Sequence, residues 1–176
     1  YLRRGESLSN AVKREILNTR TKVGLLDAST LGKIMVKGPD AGRFLDLIYT
    51  NMISTLGVGR CRYGLMCNEN GFLFDDGVVA RMADDGFICH TTSGGSDRLF
   101  AWMEEWLQTE WWNLKVYVLN ITEKFSQTAV VGPHARKVLE KVLGQLIPSS
   151  DLPFMGVLTS NFEDSEVNIF RVSFSG

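Results

Sequence analysis

The chain has 176 residues, 44% of them hydrophobic and 22% charged, which is enough for one sizeable core or two small lobes sharing it. A formal net charge of -1 gives no electrostatic case for nucleic acid or for an acidic membrane surface, and no apolar run reaches the length of a membrane span. Cys61, Cys67 and Cys89 are odd in number and lack CxxC spacing, so neither a disulfide framework nor a zinc site is expected and a reducing, cytoplasmic setting is the default. The first residue is Tyr1 rather than Met and no signal-peptide pattern follows it, which reads as a piece cut from something longer.

Ser7 or Ser9 can cap a first helix, with Val12 and Ile16 one turn apart on its buried face and Gly24 as its stop. The alternation in Lys33 to Lys37 predicts a strand with Ile34 and Val36 inward. Gly38-Pro39-Asp40-Ala41 then leads into a helix carrying Phe44, Leu45 and Ile48, with Pro at the first helical position, where its missing N–H costs nothing. The same unit recurs: Thr128 to Val131, then Gly132-Pro133-His134-Ala135, then a helix with Val138, Leu139 and Val142. An internal strand–GPxA–helix repeat at about 33–49 and 127–143 is therefore expected, with chance as the alternative for so short a signal.

Between the two copies, Phe72 to Met82 and Phe87 to Thr92 read as strands joined by Ala83-Asp84-Asp85-Gly86, a hairpin with a bulge. Ser96 is expected to cap a helix whose Leu99, Trp102, Met103, Trp106 and Leu107 form one stripe, an arrangement that is core far more often than a cofactor box. Val116 to Thr122 and Val167 to Phe174 are the remaining strands. The mixture predicts an α+β fold with mixed or antiparallel sheets and packed helices.

Chemistry concentrates in Tyr63 to Val79, where Asp75 and Asp76 interrupt an otherwise apolar strand. A buried carboxylate needs polar partners, and alternation turns two neighbours to opposite faces, so one can reach water while the other looks into a pocket. The pair is a candidate site, with support of a strand end or turn as the plainer reading. Other constellations are weak. Asp27, Ser29 and His90 supply the residue types of a hydrolase triad, but there is no G-x-S-x-G elbow. His90 and His134 are too few for a metal cluster, and Gly94-Gly95 reads as a strand-to-helix turn before it reads as an anion site.

Taken in order, Gly24-Leu25-Leu26-Asp27-Ala28-Ser29, Thr50-Asn51, Met66-Cys67-Asn68-Glu69-Asn70-Gly71, Phe74-Asp75-Asp76 and Gly132-Pro133 form a specific set. From about residue 24 onward the chain resembles the folate-binding aminomethyltransferase family typified by the glycine-cleavage T-protein. Three further stretches are Ala28 to Ile34, His90 to Gly95, and Trp106-Leu107-Gln108-Thr109-Glu110-Trp111. These resemble the branch of that family forming the folate-binding part of heterotetrameric sarcosine oxidase alpha subunits. A plain T-protein usually carries His where this chain has Thr30.

The resemblance implies a T-protein-like disc of three lobes with tetrahydrofolate in a central cavity, here cut before the carboxy-terminal barrel. It implies that Asp75 approaches N10 of the folate, and that Leu31, Tyr63 and His90 line the pterin and aminobenzoyl pocket. The implied activity is capture of the one-carbon unit from sarcosine demethylation as 5,10-methylenetetrahydrofolate, within an oxidoreductase acting on CH–NH with oxygen as acceptor. FAD, FMN and NAD belong elsewhere in such a complex, and the implied partners are its beta, gamma and delta subunits. The family continues past the final Ser-Gly with an acidic motif whose Glu grips the pterin edge, so residues 1–176 are expected to hold one wall of the site and to be inactive alone. A stand-alone T-protein or dimethylglycine-type aminomethyltransferase, and a non-catalytic folate-binding or docking module, remain open readings.

Overall fold

Ser7 opens the first helix, α1 (Leu8–Thr21), by accepting the Asn10 N–H on its hydroxyl at 3.3 Å. The structure, a computed structural model, describes residues 1–173, so the expected strand end at Phe174 lies outside the described residues. The face assigned to α1 needs correction: Ala11 is its buried residue, while Val12 and Ile16 are about half exposed. Periodicity fixes which side of a helix is apolar, not what covers that side. Gly24 is likewise not the helix stop, which comes at Thr21, but the first residue of strand β1 (Gly24–Asp27).

Strand β2 (Gly32–Lys37) buries Ile34 and Val36 completely, as its alternation requires. Helix α2 (Ala41–Ile48) buries Ala41, Phe44, Leu45 and Ile48. Pro39 precedes the N-cap Asp40 and so stands in the turn before the helix, not at its first position. Strands β3 (Arg60–Cys67), β4 (Leu73–Ala83) and β5 (Gly86–Thr91) follow, with the expected bulge between Arg81 and Ala83 at the β4–β5 hairpin. Gly95, not Ser96, is the N-cap of α3 (Ser96–Thr109). The predicted stripe packs as core: Leu99, Met103 and Leu107 are buried, and Trp102 and Trp106 lie partly buried against the same cluster.

The chain continues through β6 (Tyr117–Asn120), a short 3-10 turn, β7 (Thr128–Val131), α4 (Ala135–Leu143), β8 (Gly156–Phe162) and β9 (Ser165–Arg171). Seven strands form an antiparallel sheet in the order β6-β2-β5-β4-β3-β8-β9, and β1 and β7 form a separate antiparallel pair. One face of the large sheet carries Ile34, Val36, Met66, Val79, Phe87 and Cys89 against α2 and α3, and this is the core.

The two Gly-Pro turns sit in matching surroundings. β1 pairs with β7 and β6 with β2, so each strand–helix unit borrows the strand that precedes the other. The Asp40 N–H donates to the Lys115 carbonyl at 3.4 Å, and the His134 N–H donates to the Lys22 carbonyl at 3.0 Å. Gly38 and Gly132, at φ 140° and 122°, lie so close to those two carbonyls that a Cβ would collide with them. Where the halves meet, Cys61 N–H donates to Met155 O at 2.7 Å and Val157 N–H to Gly59 O at 2.9 Å. Gly59 and Met155, the two acceptors, are both left-handed at φ 76° and 55°. These reciprocal bonds describe an approximate two-fold axis through the β3–β8 contact.

Candidate functional site

Strand β4 runs through the middle of the sheet, so both of its edges are paired, and Asp75 and Asp76 divide between its two faces. Asp75 pairs in register with Met66, which puts it on the helix-covered face. It is 4% exposed. Its carboxylate accepts the Thr91 hydroxyl in a short hydrogen bond, the Thr92 hydroxyl at 3.3 Å and the Asp76 N–H at 2.8 Å. It also lies against Gly95, where any Cβ would strike it. The Gly94-Gly95 turn therefore already has an anion at the start of α3, namely the side chain of Asp75. The burial cost is met by donors of the chain itself, which ties β4 to the end of β5 and to the α3 N-terminus.

Asp76 faces the other way. It pairs with Leu65, and its Oδ2 accepts the Tyr63 hydroxyl at 2.5 Å. That bond raises the Tyr63 pKa, because the phenol that donates to a carboxylate resists losing its proton. His90 follows Cys89, which faces the core opposite Val79, so the imidazole shares the face of Tyr63 and Asp76. Its Nδ1 lies 3.0 Å from the Val78 carbonyl, so Nδ1 carries the hydrogen and Nε2 is left as an acceptor in the neutral ring. Phe170 from β9 stands edge-on to the ring, with centroids 5.3 Å apart. Burial pushes the His90 pKa down and the Lys33 charge adds to this, against the opposing pull of the Val78 bond.

The structure thus parts residues that the sequence grouped. Tyr63 and His90 share a face with Asp76, while Asp75 is on the opposite side of the sheet. Leu31 is half-buried in the turn leading into β2, and its carbonyl accepts Lys33 Nζ at 2.7 Å. Lys33 itself is the residue the sequence hid. It is 4% exposed, register partner of His90, and its ammonium also donates to Ser29 O at 3.1 Å. Alternation placed Lys33 away from Ile34 but could not reveal that its ammonium is held by the Ser29 and Leu31 carbonyls. Burial lowers its pKa, with the Glu123 charge acting the other way. The triad residue types do not assemble: Asp27 accepts the Ser29 backbone N–H at 2.9 Å, and Ser29 Oγ accepts the Gln127 N–H at 2.9 Å, while His90 is committed to Val78. Among the described residues no cluster of His, Cys, Asp and Glu could hold a metal ion, and no helix is long and apolar enough to cross a membrane.

Comparison with known proteins bears on the family and the fold. Residues 1–176 match the family model described as the GCVT N-terminal domain. The sarcosine oxidase subunit alpha of Corynebacterium sp. strain U-96 is 47% identical over all of this chain, which spans 18% of that protein's length. An aminomethyltransferase of Listeria monocytogenes is 33% identical over 89% of this chain and 40% of its own. The crystal structure of glycine cleavage aminomethyltransferase T from Bartonella henselae superposes with a TM-score of 0.72 at 29% identity, covering 82% of this chain and 37% of that one. A chain of heterotetrameric sarcosine oxidase from Corynebacterium sp. U-96 shares the fold at a TM-score of 0.59 and 15% identity, over 96% of this chain and 82% of its own. A family model matched along the whole length and relatives of this similarity settle the membership: the chain belongs to the family of GCVT N-terminal domains.

Proposed function

We propose that the sheet face carrying Tyr63, Asp76 and His90 receives tetrahydrofolate, and that the chain works as the one-carbon-capturing part of a sarcosine oxidase alpha subunit. The observation that carries this is the Tyr63–Asp76 hydrogen bond on a face not covered by α2 and α3, with the His90 ring beside it. The 47% identity to sarcosine oxidase alpha subunits, against 33% to an aminomethyltransferase, supports the oxidase branch over a stand-alone aminomethyltransferase.

In this reading Asp76 orients a folate nitrogen toward the formaldehyde or imine released by sarcosine oxidation and accepts the nitrogen's proton as the new carbon–nitrogen bond forms. Tyr63 holds the carboxylate in place, and His90 offers Nε2 as a fixed acceptor. The role first given to Asp75 passes to Asp76, because the Asp75 carboxylate is saturated by Thr91, Thr92 and the Asp76 amide on the opposite face. Flavin and NAD chemistry would belong to other segments and subunits of the complex, with the beta, gamma and delta subunits as partners.

The test is Asp76→Asn in the intact complex. Sarcosine-dependent peroxide formation should stay unchanged, while methylenetetrahydrofolate yield falls about 10- to 150-fold, the loss expected for one hydrogen bond to a charged group. Free formaldehyde should rise by the same amount. Full methylenetetrahydrofolate yield from Asp76→Asn would remove the proposal.

A further inference from the structure

Lys33 is a buried cation with no carboxylate in contact. It is 4% exposed, and its ammonium donates to Ser29 O at 3.1 Å and to Leu31 O at 2.7 Å. The ion pairs among the described residues involve only Tyr1, Glu6, Arg14 and Glu15. Glu123 is the acid whose charge reaches Lys33, from beyond ion-pair distance. Carbonyl dipoles therefore solvate the ammonium without cancelling its charge. Its backbone is held as well: the N–H donates to Thr122 Oγ1 at 3.0 Å, and the carbonyl accepts the Ile121 N–H at 2.9 Å. A lysine that only solvates a surface needs none of these contacts.

Two parts of the face opposite the helices meet at this ammonium. The first is the turn into β2. Ser29 and Leu31 give the ammonium their carbonyls, and Thr30 between them places its Oγ1 3.3 Å from Ser93 Oγ in the turn after β5. The second is His90, the register partner of Lys33 across the β2–β5 pair. Residues opposed in this way project from one face with Cβ atoms about 4.5–5.5 Å apart. The His90 Nδ1 is committed to Val78 O at 3.0 Å, which leaves Nε2 for anything that binds. Charged and titratable groups on the surrounding elements are Lys33 on β2, Asp76 on β4, Tyr63 on β3, Glu166 on β9, and Asp27 and Glu123 on either side of Lys33. Tyr63 donates to Asp76, Asp27 accepts the Ser29 N–H, and the β9 residue against the ring is the uncharged Phe170. Of these charges, Lys33 is the one that acts on the imidazole.

We propose that Lys33 is a positioning residue of this face: its ammonium pins the Ser29–Leu31 turn to β2 and sets a fixed positive charge beside the His90 ring, so that Nε2 meets a ligand as an acceptor. The proposal rests on the reading of this face as the ligand site. An imidazolium next to an ammonium pays Coulomb repulsion, and burial already disfavours a second charge there. A neutral ring tied down at Nδ1 accepts an N–H or O–H at Nε2 and offers nothing to a group that has only lone pairs. Lys33 thereby selects the ligand group that faces His90 without touching the ligand itself. Removing the ammonium also leaves the Ser29 and Leu31 carbonyls without their donor, which frees the turn that carries Leu31.

Lys33→Met and Lys33→Arg in the intact complex test both parts. Deuterium exchange at the His90 imidazole Cε1–H, followed across pH by mass spectrometry, reads the titration of that ring with no folate present. Lys33→Met should move the midpoint up by at least about half a pH unit, and Lys33→Arg, which keeps the charge, should leave it in place. The tetrahydrofolate concentration for half-maximal capture at neutral pH should rise at least about 10-fold in Lys33→Met, the loss of a charged hydrogen-bond donor to the turn. Lys33→Gln keeps a donor for the carbonyls and removes the charge, and it carries the same expected His90 shift where the Met variant does not fold. A His90 midpoint unmoved by loss of the charge would overturn the proposal, as would an unchanged half-saturating concentration in Lys33→Met. The exchange readout is independent of the folate assignment, whose own failure shows instead as full methylenetetrahydrofolate yield from Asp76→Asn.

Discussion

Replacing Asp75 should damage the fold, and replacing Asp76 should not. Asp75→Ala removes the acceptor of the Thr91 hydroxyl and of the Asp76 N–H, in a site that is 4% exposed. Two hydrogen bonds to a charged group at about 1.5–3 kcal/mol each give about 3–6 kcal/mol, and relief of the carboxylate's own desolvation pulls the figure toward the lower end. A loss of about 3 kcal/mol is a large part of ordinary domain stability and should move a urea midpoint by about 1.5 M at a slope of about 2 kcal/mol per M. Asp76→Ala breaks one bond to the partly exposed Tyr63 and should cost under about 1 kcal/mol. Equilibrium urea unfolding followed by tryptophan fluorescence compares the two directly. If Asp76→Ala shifts the midpoint and Asp75→Ala leaves it unchanged, the division of labour argued from the two faces is wrong.

Gly38→Ala and Gly132→Ala should each destabilise by about 1–3 kcal/mol, because both need a positive φ and both would drive a Cβ into a carbonyl; thermal scans that show either as neutral would contradict the close approach. Trp106 stacks on Trp111 at 5.1 Å and stands edge-on to Trp102 at 6.2 Å, so Trp106→Ala should cost about 3 kcal/mol, and an unchanged denaturation midpoint would make the stripe an interface instead. His90 is held neutral in the folded chain while the unfolded chain takes up its proton near pH 6.5, so stability should be level above that pH and decline as pH falls through it toward the lower folded value. His90→Asn should flatten that part of a midpoint-versus-pH curve, and an unaltered curve would show that the ring is not the group responsible.

The parts of the fold legible in the sequence are those where pattern and burial coincide. Ile34 and Val36 alternate, lie in the middle of a sheet and are fully buried; Leu99, Met103 and Leu107 recur at helical spacing and meet the same core. Three strands left no such trace: β1 has four residues and leaves Leu25 and Leu26 exposed, while β3 and β8 interleave Arg, Gly, Thr and Ser with their apolar residues. The site was half legible. Alternation correctly predicts that Asp75 and Asp76 oppose each other, yet it cannot say which face is lined by helices, because that depends on α2 and α3 packing on the same side of the sheet. Lys33 shows the same limit from the other direction, since a lysine flanking an apolar strand reads as solvated although here the Ser29 and Leu31 carbonyls hold its ammonium.

If the matched Gly-Pro turns mark a duplication, as we propose, the candidate chemistry belongs to one half. Setting Arg81 against Arg171 aligns Asp75 with Ser165 and Asp76 with Glu166, and setting Gly59 against Met155 aligns Tyr63 with Thr159. Glu166 keeps an acid, but Thr159 gives its hydroxyl to Asn168 at 2.8 Å and is too short to clamp a carboxylate two residues away across the strand pair. Ser165 carries no carboxylate, so this position of the second copy lacks the acceptor that Asp75 offers to Thr91 and Thr92. Two copies of one scaffold thus differ at the acid and at the two groups that hold it, and only the first combines a braced strand with an acid–phenol pair on the open face. Carrying Asp and Tyr into the second copy as Glu166→Asp and Thr159→Tyr should leave the Asp76→Asn defect in methylenetetrahydrofolate yield unrepaired, because Ser165 does not brace the strand. Recovery of yield in that triple variant would mean that the acid–phenol pair alone suffices and that the Asp75 anchor is dispensable to the chemistry.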